Sequence, residues 1–203
     1  MLAAVLYVPR LFSSYRTWIF MKENDMNKKL DKKRNTDFYL LYTAAFLAVA
    51  LALYLRFFIN GKSLVWSHDG VPQHLNSLAY YGRYLRQVLY TLFIEHKLSL
   101  PLWDMHIGYG SDILTTLHYY VIGDPLTLLA VFVPESKTET LYAFLIFLRI
   151  YLAGIAFSRY SFYHKNSKQA TFMGTMIYIF AGWTIYAAMK HPYFSNPMIY
   201  LPL

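Results

Sequence analysis

Asp69 stands in the stretch Trp66-Ser67-His68-Asp69-Gly70-Val71-Pro72-Gln73-His74, a few residues beyond the apolar run Phe38 to Leu55. A carboxylate there can do one of two jobs. Aspartate before glycine, with proline two residues further on, is good turn or helix-capping chemistry. The same carboxylate at a lipid–water boundary can act as a general base, or orient a substrate hydroxyl. His68 and His74 flank it and are equally well read as solvated side chains.

Arg149 is the second residue that asks for an explanation. It lies in the apolar stretch LYAFLIFLRIYLAGIAF, where a cation costs roughly 2.5–3.5 kcal/mol on insertion scales and needs a partner or water. It either snorkels or pairs with another segment, or it serves as counter-charge to a lipid phosphate. Asp104, His106, Asp112, His118 and Asp124 follow no metal-binding spacing such as HExxH or an EF-hand loop. GYGSD (Gly108 through Asp112) lacks both the spacing and the lysine of a phosphate-cradling loop. No Ser-His-Asp triad can be argued. Trp103, Tyr119 and Tyr120 read as interfacial packing, with sugar stacking as the chemical alternative.

The elements that must position these residues are membrane helices. The chain is 57% hydrophobic and 19% aromatic over 203 residues, with 20 tyrosines, which is too apolar for an ordinary soluble domain. About 20 apolar residues cross a hydrocarbon core of about 30 Å. Spans are expected at 37–59, 140–158 and 170–189, and the Tyr and Trp content suits interfacial belts. The absence of cysteine excludes disulfides and thiolate metal sites.

The net charge of +8 is unevenly placed. Arg10, Arg16, Lys22, Lys28, Lys29, Lys32, Lys33 and Arg34 precede the first span, and Arg159 to Lys168 is basic without an acid. Both are expected on the cytoplasmic side, the acid-rich loop 60–139 outside. No groove-forming basic and aromatic pattern is present, which argues against nucleic-acid binding. Residues 1–35 form a basic cytoplasmic tail, of which 1–25 is an amphipathic surface segment or an artefact of the start site, Met21 and Met26 being alternatives.

Within the outer loop, Pro72 to Lys97 reads as an amphipathic surface helix. Leu75, Leu78, Leu85, Leu89 and Leu92 fall on its apolar face, and Asn76, Arg83, Gln87 and Tyr90 on the other. Ile113 to Tyr120 reads as a second short helix. Leu126 to Val133 is apolar but too short to span, and is re-entrant, interfacial or the buried start of a helix. After an inner loop at 159–169 and the third span, residues 190–203 form an outer segment and open a fourth apolar run. The chain stops inside that run, so an amino-terminal part of a larger polytopic protein is expected.

The strings WSHDGVPQHLNSLAYYGRYLRQVL, LPLWDMHIGYGSDILTTLHYYVIGDPLTLLAVFVP, LRIYLAGIAFSRY and HPYFSNPMIYLPL resemble the YfhO family of bacterial membrane proteins over about 36–203. That family is similar to membrane glycosyltransferases of the GT-C fold. The resemblance implies an all-α, polytopic, GT-C-like protein that moves a sugar from a polyprenyl-phosphate carrier to an extracytoplasmic polymer of the teichoic-acid type. It implies Asp69 as the base of an inverting displacement. Arg149, Arg83 or Arg86 would stabilise the leaving phosphate, with Asp124 or His118 as a further polar element. It fixes no cofactor, and a divalent metal is compatible with it. The bilayer, the lipid-linked donor and the polymer acceptor are the implied partners. The rival readings are a transporter or flippase subunit, in which Arg149 lines the pathway, and a catalytically inactive membrane fragment.

Overall fold

The computed structural model describes residues 36–203, so the basic tail and its alternative starts lie outside the described residues. The chain divides into two units, one through Val49 and one from Ala50 onward. The helix α1, Thr36–Ile59, runs through that boundary and is long and apolar enough to cross a membrane. In the first unit its buried positions are Phe38, Tyr42 and Phe46, four residues apart, while Leu40, Leu41 and Leu47 are exposed. A helix with one covered stripe and leucines around the rest suits a lipid solvent.

The second unit carries the remaining elements. A π-helical turn at Gly70–Leu75 runs directly into α2, Asn76–Phe93. A two-stranded antiparallel hairpin follows, β1 (Trp103–Asp104) on β2 (Ser111–Asp112), with Trp103 opposite Asp112. Then come α3 (Ile113–Leu117), a π-helical turn at His118–Ile122 and a 3₁₀ helix at Pro125–Phe132. The helix α4 (Thr138–Tyr163) is the second stretch long and apolar enough to span. It is followed by α5 (Lys168–Ile179), α6 (Gly182–Lys190), a 3₁₀ turn at Pro192–Ser195 and α7 (Pro197–Tyr200).

Among the described residues the chain is therefore helical apart from one short hairpin, as expected for a polytopic membrane protein. Two differences from the expected elements are informative. The third span is not one rod: α5 and α6 meet at a bend of 43°. Ala181 is extended there, and the Thr184 hydroxyl donates to the Tyr178 carbonyl at 2.9 Å across the break. Apolar periodicity continues through such a bend, so composition alone reads it as one span. The hydroxyl supplies a partner to a carbonyl near the bend, as a break within a membrane requires.

The second difference concerns α2. Its buried residues are Leu78, Tyr81 and Gly82, whereas Leu89 is exposed. The covered face is thus rotated from the leucine stripe, because α2 packs on the 3₁₀ helix Pro125–Phe132. Gly82 makes that contact possible: a Cβ there would stand 2.8 Å from the Ala130 carbonyl oxygen. Arg86 completes the joint, donating from Nη1 to the carbonyls of Ala130 (3.0 Å) and Val133 (2.8 Å). The short apolar segment at 126–133 is accordingly the partner of α2.

Aromatic packing joins α4 to its neighbours. Phe147 meets Tyr54 edge-on with ring centroids 5.1 Å apart, and Phe157 stacks on Tyr178 at 4.8 Å. Ser161 and Thr171 share a hydrogen bond of 2.9 Å near the turn between α4 and α5. Such small hydroxyl residues let membrane helices approach closely while keeping their polar atoms satisfied.

Candidate functional site

The acids between α1 and α4 separate by what their oxygens do. Asp112 caps α3 by accepting from the Thr115 amide at 2.7 Å. Asp124 caps the 3₁₀ helix by accepting from Leu126 at 3.0 Å. Asp104 accepts from the His106 amide (2.8 Å) and the Tyr80 hydroxyl (2.7 Å), with His106 Nδ1 at 2.8 Å from the same carboxylate. Those donors, the amide first, hold its pKa down at about 2. Asp104 and Asp124 engage both oxygens within the fold, Asp124 through its second oxygen to Arg149, and Asp112 spends Oδ1 on its cap.

Asp69 differs. It occupies the N-cap position of the π-helical turn, yet its side chain makes no capping hydrogen bond. Its backbone carbonyl accepts from the amides of both Gln73 and His74, each at 3.1 Å. The wide turn is possible because Gly70 is packed against Val65 and Trp66, where a Cβ would lie 3.1 Å from Val65 Cγ1. Oδ1 accepts from Gln73 Nε2 at 3.1 Å, and Oδ2 lies 3.8 Å from His191 Nε2. The carboxylate remains 37% exposed. It is anchored on one side and open on the other.

A shell of rings surrounds it. His74 is buried, contrary to its reading as a solvated side chain. Its ring packs against Tyr120 (5.5 Å), Tyr193 (5.5 Å) and His191 (5.2 Å), and Tyr142 places its hydroxyl 3.4 Å from Nδ1. Burial, followed by the neighbouring His191, pushes His74 down to about 4, with Asp69 opposing. The imidazole is therefore neutral at physiological pH and Nδ1 can accept. Tyr120 and Tyr193 are both pushed up by burial, so they keep their protons. His191 also faces Trp66 at 5.8 Å, and the Lys190 ammonium sits 3.7 Å from the Trp66 ring centroid.

The arginines stand elsewhere. Arg149 is 2% exposed and pairs with Asp124, which is equally buried. Its Nε donates to Asn196 Oδ1 at 3.0 Å, and the guanidinium lies 5.3 Å from the Tyr193 ring centroid. Arg83 pairs with Glu135 at the surface, and Arg86 is held by the Ala130 and Val133 carbonyls. The continuous helical path from Gly70 to Phe93 carries Arg83 about 20 Å along the axis from Asp69, at roughly 1.5 Å per residue. His118 turns Nδ1 onto the Thr115 carbonyl at 2.8 Å. No hydrogen bond or ion pair joins these four residues to Asp69. Among the described residues no group of three or more His, Asp or Glu side chains is placed to hold a metal ion.

Sequence reasoning missed Gln73, Tyr120, His191 and Lys190 as neighbours of this carboxylate or of its rings. Gln73 is the exception that was findable, since it follows Asp69 by one helical turn. His191, at the far end of α6, carries no local signal.

The family described as bacterial membrane protein YfhO matches residues 41–203. No curated protein matches the chain, and no solved structure does.

Proposed function

The chain belongs to the YfhO family of bacterial membrane proteins, and from that membership we propose that it is part of a GT-C-like glycosyltransferase. In this reading a sugar passes from a polyprenyl-phosphate carrier to an extracytoplasmic cell-envelope polymer of the teichoic-acid type. The observation that carries it is the state of Asp69: its side chain caps no helix, Oδ1 is anchored by Gln73, and the carboxylate stays 37% exposed beside a shell of rings.

The reaction is a single inverting displacement. The acceptor hydroxyl attacks the anomeric carbon from the face opposite the phosphate, and Asp69 takes the hydroxyl proton as the new bond forms. The bond from the anomeric carbon to the phosphate oxygen breaks, and its electron pair leaves on the polyprenyl phosphate. Tyr119 offers a ring face beside the site, packing edge-on against Phe194 at 5.7 Å. Cationic groups stabilise the departing charge. Lys190 and His191, next to the carboxylate and its rings, fit that task better than Arg83 or Arg86, which the helix carries away. Arg149 contributes by holding Asp124 and Asn196, and His118 stays on its own helix.

The test uses the full-length protein. Asp69→Asn should abolish sugar addition to the envelope polymer while the protein still inserts into the membrane at wild-type levels. Sugar addition at the wild-type rate would rule out Asp69 as the base. The bend between α5 and α6 favours a second reading, a transporter or flippase subunit, because broken helices build substrate sites in transporters. That reading is preferred if Asp69→Asn leaves polymer glycosylation intact but stops movement of the lipid-linked sugar across vesicles.

A further inference from the structure

We propose that Gln73, held in place by Tyr120, is the positioning residue of the Asp69 carboxylate, occupying Oδ1 and leaving Oδ2 to meet the acceptor hydroxyl. This deepens the reading of Asp69 as a base and rests on it. Two hydrogen bonds in series make the case. The Tyr120 hydroxyl donates to Gln73 Oε1 at 2.6 Å, and Gln73 Nε2 donates to Asp69 Oδ1 at 3.1 Å. A tyrosine hydroxyl has one proton, and giving it to the amide oxygen turns the amide NH₂ toward Asp69. An NH₂ group only donates, so it favours the ionised carboxylate, the form able to take a proton.

Tyr120 is a firm anchor because rings fix it on several sides. It packs against Tyr119 at 5.1 Å, His74 at 5.5 Å and Tyr193 at 6.3 Å. An exposed glutamine left to itself would sample many rotamers; one end of this amide is tied to a packed ring. The backbone helps, since the Gln73 amide also bonds the Asp69 carbonyl at 3.1 Å. Among the described residues, the groups facing Asp69 are Gln73 and His74 from its own helical turn, Tyr120 from the turn His118–Ile122, and His191 from the end of α6.

The decisive measurement follows the protonation of Asp69 itself by infrared spectroscopy. The full-length protein is held in nanodiscs, and the carboxyl band is isolated by subtracting the Asp69→Asn spectrum. In Gln73→Leu the protonation midpoint should rise relative to the wild type, because the ionised form has lost a donor. Tyr120→Phe should raise it less, and should add nothing in the Gln73→Leu background, since the two act in series. Should leucine disturb the turn, the nearly isosteric Gln73→Met repeats the measurement. An unmoved midpoint in the Gln73 variants overturns the proposal, as does a Tyr120→Phe shift of equal size with and without Gln73. Sugar transfer is read separately. Activity of Gln73→Leu should recover as pH is raised, whereas an active Asp69→Asn protein defeats the glycosyltransferase reading and leaves the infrared result to judge the positioning.

Discussion

Arg149 and Asp124 form an ion pair in which both side chains are 98% covered, and the pair ties the middle of α4 to the start of the 3₁₀ helix Pro125–Phe132. Arg149 also donates to Asn196, just before α7. One guanidinium therefore joins three segments that are far apart in sequence. A lone cation in an apolar span is costly, and here the tertiary structure supplies its counter-ion from the segment between α3 and α4.

Removing one partner should cost more than removing both. Arg149→Met leaves a buried carboxylate alone, and a loss of roughly 3–5 kcal/mol is expected. Asp124→Asn preserves the cap on Leu126, since asparagine caps as well as aspartate, but leaves the guanidinium uncompensated. The double variant Arg149→Met/Asp124→Asn should be more stable than either single one. Thermal unfolding of the full-length protein in detergent, with all four combinations, measures the coupling.

Gly82 should tolerate no side chain. A Cβ would meet the Ala130 carbonyl oxygen at 2.8 Å, and that oxygen is also an acceptor for Arg86. Gly82→Ala improves helix propensity by about 1 kcal/mol, yet the clash should cost more, about 1–3 kcal/mol. A net fall in stability is expected. It should be accompanied by faster hydrogen exchange in α2 and in residues 125–132, read by mass spectrometry. A more stable Gly82→Ala protein would mean that this contact is loose.

The buried His74 sets a pH dependence. The ring titrates at about 4 in the fold against 6.5 for the ordinary group, so the unfolded chain binds the proton more readily between those values. Stability from its burial is fully present above about pH 6.5 and is lost as pH falls through about 4. Thermal unfolding of the wild type should drop across that window. His74→Gln should flatten the dependence, and an unchanged slope in that variant would assign it to other groups.

Orientation is open to a direct experiment because the chain has no cysteine. Single cysteines at Lys97, between α2 and β1, and at Asn166, between α4 and α5, are both exposed positions. The positive-inside distribution predicts that a membrane-impermeant thiol reagent added to whole cells labels the first and spares the second. Labelling of Asn166→Cys alone would invert the topology.

Much of the architecture was readable from local properties. Apolar length and charge asymmetry mark α1 and α4, because crossing a bilayer is a demand that each segment meets by itself. Asp69 was legible as a candidate for the same reason: it stands directly outside a long apolar run. The two edges of that reading are instructive. The bend at Ala181 was invisible, since apolar periodicity passes through it and the compensating Thr184 hydroxyl looks like any other. The cover that residues 125–132 give α2 was likewise unread, since leucines mark what is apolar but not which segment comes to lie against it.

The sequence by itself determined that this is a helical membrane protein of the YfhO family with an acid poised beyond its first span. Length, hydropathy and motif order are properties of single segments. Only the tertiary structure decided that Asp124 and Asp104 spend both oxygens on the fold while Asp69 is held through Oδ1 beside a shell of rings. It also decided that Arg149 answers Asp124, and that Gln73, Tyr120 and His191 gather around Asp69. Gln73 is one turn from Asp69, but Arg149 is 25 positions from Asp124 and His191 is 122 from Asp69, and contacts at that range are set by the packing of whole helices, which no local spacing encodes.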